Sequence, residues 1–227
     1  MINKGVDGIL ISLSNSTNDF NHLQKIIDYD IPLVLFDKIT KLINCSKIII
    51  NDKKASYDAV SYLIKKGYKR IAYFRGDLNP QNSIDRFLGY KKALEENNIV
   101  FDYSLVYTCP NADFNEGYNN AEKLINDHGK TIDAICTITD LTAIGVINYL
   151  NEKKIKIPEE VAVLGFSNWF MSTVITPTLS SVEQNAKQTG EKSVEVLFHE
   201  IDCKQKGHPI THKTIIIDTE LIIRNSC

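Results

Sequence analysis

Short apolar runs recur along the chain, separated by longer segments of mixed polarity. Each run spans roughly four to eight residues and is rich in Val, Ile and Leu, which is typical of buried β-strands. The pattern predicts nine strands, at residues 6–13, 32–36, 47–50, 70–75, 105–108, 134–138, 161–166, 214–217 and 220–223.

The intervening segments carry apolar residues every three or four positions, the spacing of amphipathic helices. The first helix has apolar residues at 20, 23, 26 and 27, with Asp19 placed to cap it. Another runs from Asp52 to a C-terminal cap at Gly67. Further helices are predicted near residues 82–97, 116–128, 141–154 and 186–201.

Alternating strands and helices predict an α/β fold with mainly parallel sheets. Nine strands approach the comfortable limit of one twisted open sheet. We therefore expect two smaller sheets with a cleft between them, connected by short ordinary segments.

Residues 161–184 carry the most informative stretch. The strand at 161–166 is followed directly by Ser167, Asn168 and Trp169, and ligands of open α/β sheets bind at the carboxyl ends of strands. Either these residues form a ligand edge, or Trp169 is simply packed in a loop. After Thr176-Pro177, residues 179–182 are expected to leave the sheet.

Other polar side chains also follow predicted strands. In a doubly wound fold such positions converge on one crevice, and this mixture of groups suits a polyhydroxylated ligand such as a sugar. The candidates are Ser12, Asp37, Asn82 with Arg86, Thr139, and Ser167 to Trp169.

Two of these candidates have simpler explanations. Arg86 offers a planar fork for hydroxyl pairs or carboxylates, but taken alone it is explained by a solvated arginine paired with Asp85. Thr139 and Asp140 together precede a helix, and capping alone would explain Asp140.

The common catalytic and metal motifs are incomplete. In Gly165-Phe166-Ser167-Asn168-Trp169, a tryptophan stands where a nucleophile elbow needs a small residue. Neither a dinucleotide motif nor a P-loop occurs, and no cysteine pair accompanies His208 and His212. We expect no enzymatic activity, cofactor or metal.

Composition describes an ordinary globular chain of 227 residues, 43% hydrophobic and 24% charged. The net charge of −2 gives no general attraction to nucleic acid or anionic membranes. There is no membrane-length apolar run or signal peptide, and the five scattered cysteines fit a reducing cytoplasm better than a disulfide framework.

Motifs spread over nearly the whole chain resemble the effector-binding core of LacI-type transcriptional regulators. Their order and spacing carry the resemblance more than any single motif. They are Gly5-Val6-Asp7-Gly8-Ile9, the stretch 31–37, Asn51-Asp52, the stretch 63–72, Arg86-x-x-Gly89-Tyr90, Thr139-Asp140-x-x-Ala143-Ile144-Gly145, the stretch 157–168, Pro177-x-Leu179-Ser180-Ser181-Val182-x-Gln184, and the stretch 220–224.

The resemblance implies two Rossmann-like subdomains of the type I periplasmic-binding-protein kind, residues 1–50 with 186–217 and residues 51–185 with 218–227. It implies that a small-molecule effector, a sugar or sugar phosphate, binds in the cleft, gripped by Arg86. Polar contacts are implied from Asp37, Asn82, Thr139 and Ser167, and ring stacking from Phe114 or Trp169. Family members often carry an aspartate at position 167, so its absence puts the identity of the ligand in question.

The chain departs from the family at its N-terminus. The DNA-binding helix-turn-helix and the first strands of the first subdomain are absent, so we expect a truncated chain whose first subdomain is incomplete and less stable. Operator DNA would be bound only through the missing region, and the intact protein is expected to be a homodimer. The alternatives are a sugar-binding protein of a transport system, which shares the fold, and an α/β enzyme.

Overall fold

The computed structural model describes residues 5–227; residues 1–4, assigned above to the first subdomain, lie outside the described residues. In chain order the elements are β1 (Ile9–Ile11), α1 (Asn21–Asp28), β2 (Leu33–Phe36), β3 (Ser46–Ile50), α2 (Asp52–Lys65), β4 (Ile71–Arg75), α3 (Gln81–Glu96), β5 (Val106–Thr108), α4 (Phe114–His128), β6 (Ala134–Thr137), α5 (Asp140–Glu152), β7 (Ala162–Ser167), β8 (Ser180–Glu183), α6 (Ala186–Gln205), β9 (Thr214–Ile217) and β10 (Glu220–Ile222).

The elements group into two compact units. The first holds the described residues up to Asn51, with Asn79–Asn82 and Asn185–Asp218. The second holds Asp52–Leu78, Ser83–Gln184 and Thr219–Cys227.

The first unit is built on four parallel strands in the order β1-β2-β3-β9. Its core includes the fully buried Leu23 of α1 and Leu33 and Leu35 of β2. Helix α6 packs on the same sheet, where its buried Glu200 accepts a hydrogen bond of 2.5 Å from the Ser46 hydroxyl of β3.

The second unit has a six-stranded sheet in the order β10-β8-β7-β6-β4-β5. All neighbours are parallel except β10, which runs antiparallel to β8. Phe74, Ile135 and Val163 of its central strands are fully buried, as expected for strands buried on both faces. Leu124 of α4 and Leu150 of α5 belong to the same core.

One predicted element is wrong. Residues 179–182 do not leave the sheet, because Ser180–Glu183 forms β8, paired in parallel with β7 from Leu164↔Ser180 to Ser167↔Glu183. Two polar residues are tolerated inside this strand because both hydroxyls have partners. Ser180 Oγ accepts from the backbone N–H of Arg224, and Ser181 Oγ donates to Asp140.

Candidate functional site

Arg86 lies on α3 with 3% of its surface exposed. Its Nε donates a hydrogen bond of 2.7 Å to Oδ1 of Asp52, and its Nη1 donates one of 2.9 Å to the carbonyl oxygen of Ile138. The guanidinium carbon lies 3.6 Å from the ring centroid of Phe166. The expected solvated arginine paired with Asp85 is therefore wrong, because the carboxylate of Asp52 and the ring of Phe166 hold Arg86 inside the unit.

The three groups that hold Arg86 lie at or just after the carboxyl ends of strands from both sheets. Asp52 begins α2 shortly after β3, Ile138 directly follows β6, and Phe166 is near the end of β7. The two hydrogen bonds use two of the five N–H groups of the guanidinium and fix its orientation. The other N–H groups remain as donors for a ligand. Removing one partner of such a buried pair typically costs about 3–5 kcal/mol.

Asp140 has a role that capping does not explain. Thr139 is the N-cap of α5, and its hydroxyl accepts from the backbone N–H of Thr142 at 3.3 Å. Asp140 is the first helical residue, 1% exposed, and its Oδ2 accepts from the backbone N–H of Trp169 at 2.6 Å. Burial raises the pKa of this carboxyl, while its hydrogen bonds to Ser181 and Trp169 oppose the rise. Asp140 thus ties the start of α5 to the segment that follows β7.

That segment has an unusual backbone. Ser167 and Asn168 both have positive φ, at 130° and 51°. Asn168 donates to Glu183 at 2.7 Å and accepts from Arg224 Nη2 at 2.7 Å, while Gln184 donates to the Ser167 hydroxyl at 2.8 Å. Such conformations persist only where the surroundings determine them strongly.

These bonds hold Trp169 at the surface. Its side chain is 52% exposed, so the interpretation of Trp169 as merely packed does not hold. The neighbouring Phe170 is 66% exposed. The segment after β7 therefore presents aromatic faces to solvent from a backbone that hydrogen bonds hold in place.

The remaining candidates in the second unit are built into the contact between α4 and α5. Thr139 Oγ1 donates to the carbonyl oxygen of Ala112 at 3.0 Å. Phe114 is the first residue of α4 and half-buried, and a Cβ at Gly145 would lie 2.1 Å from its carbonyl oxygen.

Three candidates belong to the first unit. Ser12 and Asp37 follow β1 and β2, and the Ser12 hydroxyl donates to Asp37 Oδ2 at 3.4 Å. Asn82 lies in the short segment Asn79–Asn82 that groups with this unit. Their contact with a ligand stays a prediction, as it does for Arg86, Phe114, Thr139, Ser167 and Trp169.

The part of Asp52 in holding Arg86 and the true role of Asp140 were not predicted from the sequence. Asp52 follows a strand like the other candidates, but its pairing with Arg86 depends on tertiary structure. The partners of Asp140, at positions 169 and 181, lie too far along the chain for a local pattern to reveal them.

Other chemistries find little support among residues 5–227. No group of three or more His, Cys, Asp or Glu side chains is arranged there to hold a metal ion. All five cysteines are free thiols. In the same part of the chain, no helix combines the length and apolar character that crossing a membrane requires.

Residues 60–227 match the family described as periplasmic binding protein-like domain. The HTH-type transcriptional repressor PurR of Vibrio atlanticus (strain LGP32) is 32% identical over 207 residues, covering 90% of this chain and 60% of the repressor. The chain thus spans less than two thirds of that relative's length.

Two solved structures have the same fold. The transcription regulator CcpA of Lactococcus lactis is 27% identical with a TM-score of 0.87, covering 99% of this chain and 79% of that one. A sugar-binding LacI-family transcriptional regulator from Escherichia coli, complexed with phosphate, is 26% identical with a TM-score of 0.81, covering 100% of this chain and 78% of that one.

Two parallel-dominated sheets and a family match over most of the chain define a periplasmic-binding-protein-like domain, and the chain belongs to that family. Within it, the domain is of the effector-binding type carried by LacI-type transcriptional regulators. These relatives are regulators, not enzymes, and they do not favour the alternative of a transport protein.

Proposed function

We propose that this chain senses a polyhydroxylated small molecule, a sugar or sugar phosphate, for a LacI-type regulator and has no enzymatic activity. The observation that carries the proposal is the buried guanidinium of Arg86, held by Asp52, Ile138 and Phe166. A fixed fork of donors suits vicinal hydroxyls or a phosphate oxygen pair. The Escherichia coli relative, a sugar-binding regulator complexed with phosphate, supports the same ligand class.

The other candidate residues complete the proposed site. Ser12, Asp37, Asn82, Thr139 and Ser167 would supply polar contacts, and Phe114 or Trp169 would stack on the sugar ring. With serine at position 167, this site carries one carboxylate fewer than an aspartate there would give, which favours a neutral or anionic ligand over a cationic one.

Binding of the effector would regulate DNA through a two-state equilibrium. A ligand shifts such an equilibrium only by its difference in affinity for the two states. We propose that operator DNA is bound by a region outside this chain and that the whole protein works in the cytoplasm. The HTH-type repressor among the relatives supports the first statement, and the five free thiols support the second.

We also propose that the intact regulator is a homodimer. Phe170, 66% exposed, begins the short 3-10 helix Phe170–Thr173, and Val174, 57% exposed, follows it; this helix packs on α5, where Leu141 is 38% exposed. Neighbouring exposed apolar residues are typical of protein interfaces, and in this family a second copy is the natural partner. Sedimentation of a full-length version should show a dimer that Phe170→Asp weakens. A full-length protein that stays monomeric would contradict this part of the proposal.

The sugar site is tested by calorimetric titration of a full-length version with a panel of sugars and sugar phosphates. The Arg86→Gln/Asp52→Asn double variant replaces the ion pair by a neutral hydrogen-bonding pair, so no buried charge is left alone. We expect binding to weaken by about 2–4 kcal/mol while the fold is retained.

The control is Lys92→Ala, an exposed position on the same helix, which should bind like the wild type. Unchanged affinity in the double variant would remove Arg86 from the site. Binding of no sugar or sugar phosphate by the wild type would overturn the ligand class.

A further inference from the structure

A cavity lies in the second unit beside the amino end of β4, whereas the cluster around Arg86 lies at the carboxyl ends of strands. It has a volume of about 410 Å³ and is lined by the start of β4 and the segment after α3. Small-molecule sites range from roughly 300 to 1,000 Å³. Lys69 and Arg70 stand just before β4, whereas Ile138 and Phe166 lie at or near the carboxyl ends of parallel strands. A strand as long as β4 spans roughly 13 Å, so the two places are distinct.

The walls of this cavity are aromatic. The rings of Phe101 and Tyr103 meet edge to face with centroids 4.7 Å apart, and Phe101 meets Tyr90 in the same way at 6.2 Å. Tyr103 and the neighbouring Val100 are 73% and 89% exposed. Exposed apolar side chains around a concavity are typical of a site that binds an apolar group. Because these side chains are aromatic, they favour binding of a flat ring.

One side of the cavity carries positive charge. Arg70 Nη2 lies 3.1 Å from His128 Nδ1, and His128 Nε2 lies 3.1 Å from the carbonyl oxygen of Ser104. A carbonyl oxygen only accepts, so Nε2 carries the imidazole proton and Nδ1 accepts from Arg70. These two hydrogen bonds fix the orientation of the Arg70 guanidinium. The buried Nε of Arg70 has no hydrogen-bond partner among the described residues.

The carboxylate of Asp102, which lines the cavity, already accepts hydrogen bonds from Ser104. Asp102 Oδ1 accepts from the backbone N–H and the hydroxyl of Ser104, at 2.9 and 2.7 Å. These hydrogen bonds, more than the nearby charges of Arg70 and His128, hold the pKa of Asp102 below its usual value. The lining itself holds the cations of Lys69 and Arg70 against this one carboxylate. Asp133 lies behind them, where its Oδ2 accepts from the backbone N–H groups of both residues.

We propose that this cavity binds a small aromatic carboxylate, a ligand class separate from the proposed effector. Its ring would pack against Phe101 and Tyr103, and its carboxylate would accept from Arg70 with Lys69 nearby. A carboxylate is the partner that matches the planar set of N–H donors on an arginine guanidinium. A neutral aromatic compound would not pair with the cations of the lining, and a non-aromatic acid would not make the ring contacts.

The test titrates the 227-residue chain with 2-naphthoate in a calorimeter. 2-Naphthalenemethanol is the neutral analogue, and cyclohexanecarboxylate is the acid without an aromatic ring. We expect 2-naphthoate to saturate with a Kd below about 1 mM. Each analogue should bind about tenfold more weakly or worse, since charged hydrogen bonds and ring contacts are each of that order.

The variant Val100→Glu places a negative charge on the lining at an exposed position, so the fold should be unaffected. It should weaken 2-naphthoate binding about tenfold, whereas the matched neutral variant Val100→Gln should bind like the wild type. The urea midpoint of each variant checks that both remain folded.

Two binding results would overturn the proposal. One is the lack of saturable binding up to about 5 mM. The other is equal binding of 2-naphthoate by the Val100→Glu and Val100→Gln variants. Amide shift changes confined to residues 69–71 and 99–105 would place the ligand in this cavity, and changes around residues 138 and 167–169 would instead place it at the Arg86 cluster and contradict the assignment.

Discussion

Gly165 and Asp140 approach so closely that a Cβ atom at position 165 would lie 2.3 Å from Oδ1 of Asp140. The carboxylate cannot easily withdraw, because it accepts hydrogen bonds from the Trp169 backbone and the Ser181 hydroxyl. The absent side chain at position 165 therefore allows Asp140 to hold the segment that carries Ser167 and Trp169.

We expect Gly165→Ala to lower the free energy of unfolding by about 1–3 kcal/mol, the usual cost of overpacking a core, and to weaken effector binding. Urea unfolding measures the first effect. Gly190→Ala is the matched control, since a Cβ there would meet nothing within 4 Å in helix α6. That control should be as stable as the wild type or up to about 1 kcal/mol more stable. Equal stability of Gly165→Ala and the wild type would contradict the close contact.

The absent side chain of Gly89 allows a similarly close approach, between the helix that carries Arg86 and the helix that carries its partner Asp52. A Cβ at Gly89 would lie 2.3 Å from the carbonyl oxygen of Lys53, so the glycine lets α3 approach the first turn of α2, where Asp52 lies. Gly89→Ala should separate the two helices and lower the free energy of unfolding by about 1–3 kcal/mol. Leu88→Ala, at a partly exposed neighbouring position, should have the smaller effect, and the reverse order in urea unfolding would contradict this explanation.

The apolar pattern predicted the α/β class, the division into two sheets and most strands, because burial on both faces leaves continuous apolar runs. Strand β8 was not predicted, because Ser180 and Ser181 are polar. Their hydrogen bonds to residues distant in sequence make them compatible with a buried strand. The sequence suggested Asp85 as the partner of Arg86 and did not reveal Asp52, because neighbours in sequence are visible and partners 34 residues away are not. Polar residues after strands were visible as a class, whereas the bonds that orient them depend on tertiary structure.

The stability of the chain should fall at alkaline pH, in part through Cys109. Burial raises the pKa of this thiol from its ordinary 9.0 to about 12. Above pH 9 the unfolded chain loses this proton while the folded chain keeps it, so the free energy of unfolding falls as pH rises towards 12. Each pH unit well above 9 costs about 1.4 kcal/mol for one such group.

Urea unfolding of the wild type and of Cys109→Ala at pH 8 and pH 10 measures this contribution. The wild type should lose about 1.4 kcal/mol more than the variant over this interval. Asn120 keeps its hydrogen bond to the carbonyl oxygen of Thr108 in the variant, so no new unpaired amide complicates the comparison. An identical loss in both proteins would show that Cys109 ionises normally in the fold.

The chain by itself should not bind DNA. Its net charge is −2, and non-specific binding rests on clustered lysine and arginine side chains that neutralise phosphates. In a gel-shift experiment at low salt, micromolar concentrations of the 227-residue chain should leave a duplex unretarded. A retarded complex would mean that a basic surface of this domain contributes to operator binding.

The hydrogen bond between Ser46 and Glu200 joins positions 154 residues apart, and β3 pairs with β9 from the same distant part of the chain. During synthesis at about 5–20 residues per second, β3 must therefore wait on the order of 8–30 s for these partners. Strands β4 to β8 of the second unit have all emerged before α6 and β9 are made. Both sheets thus await a strand from the end of the chain, but the first unit lacks both α6 and β9 until then, so the apolar strands β1 to β3 stay uncovered on the ribosome while most of the second sheet can already form.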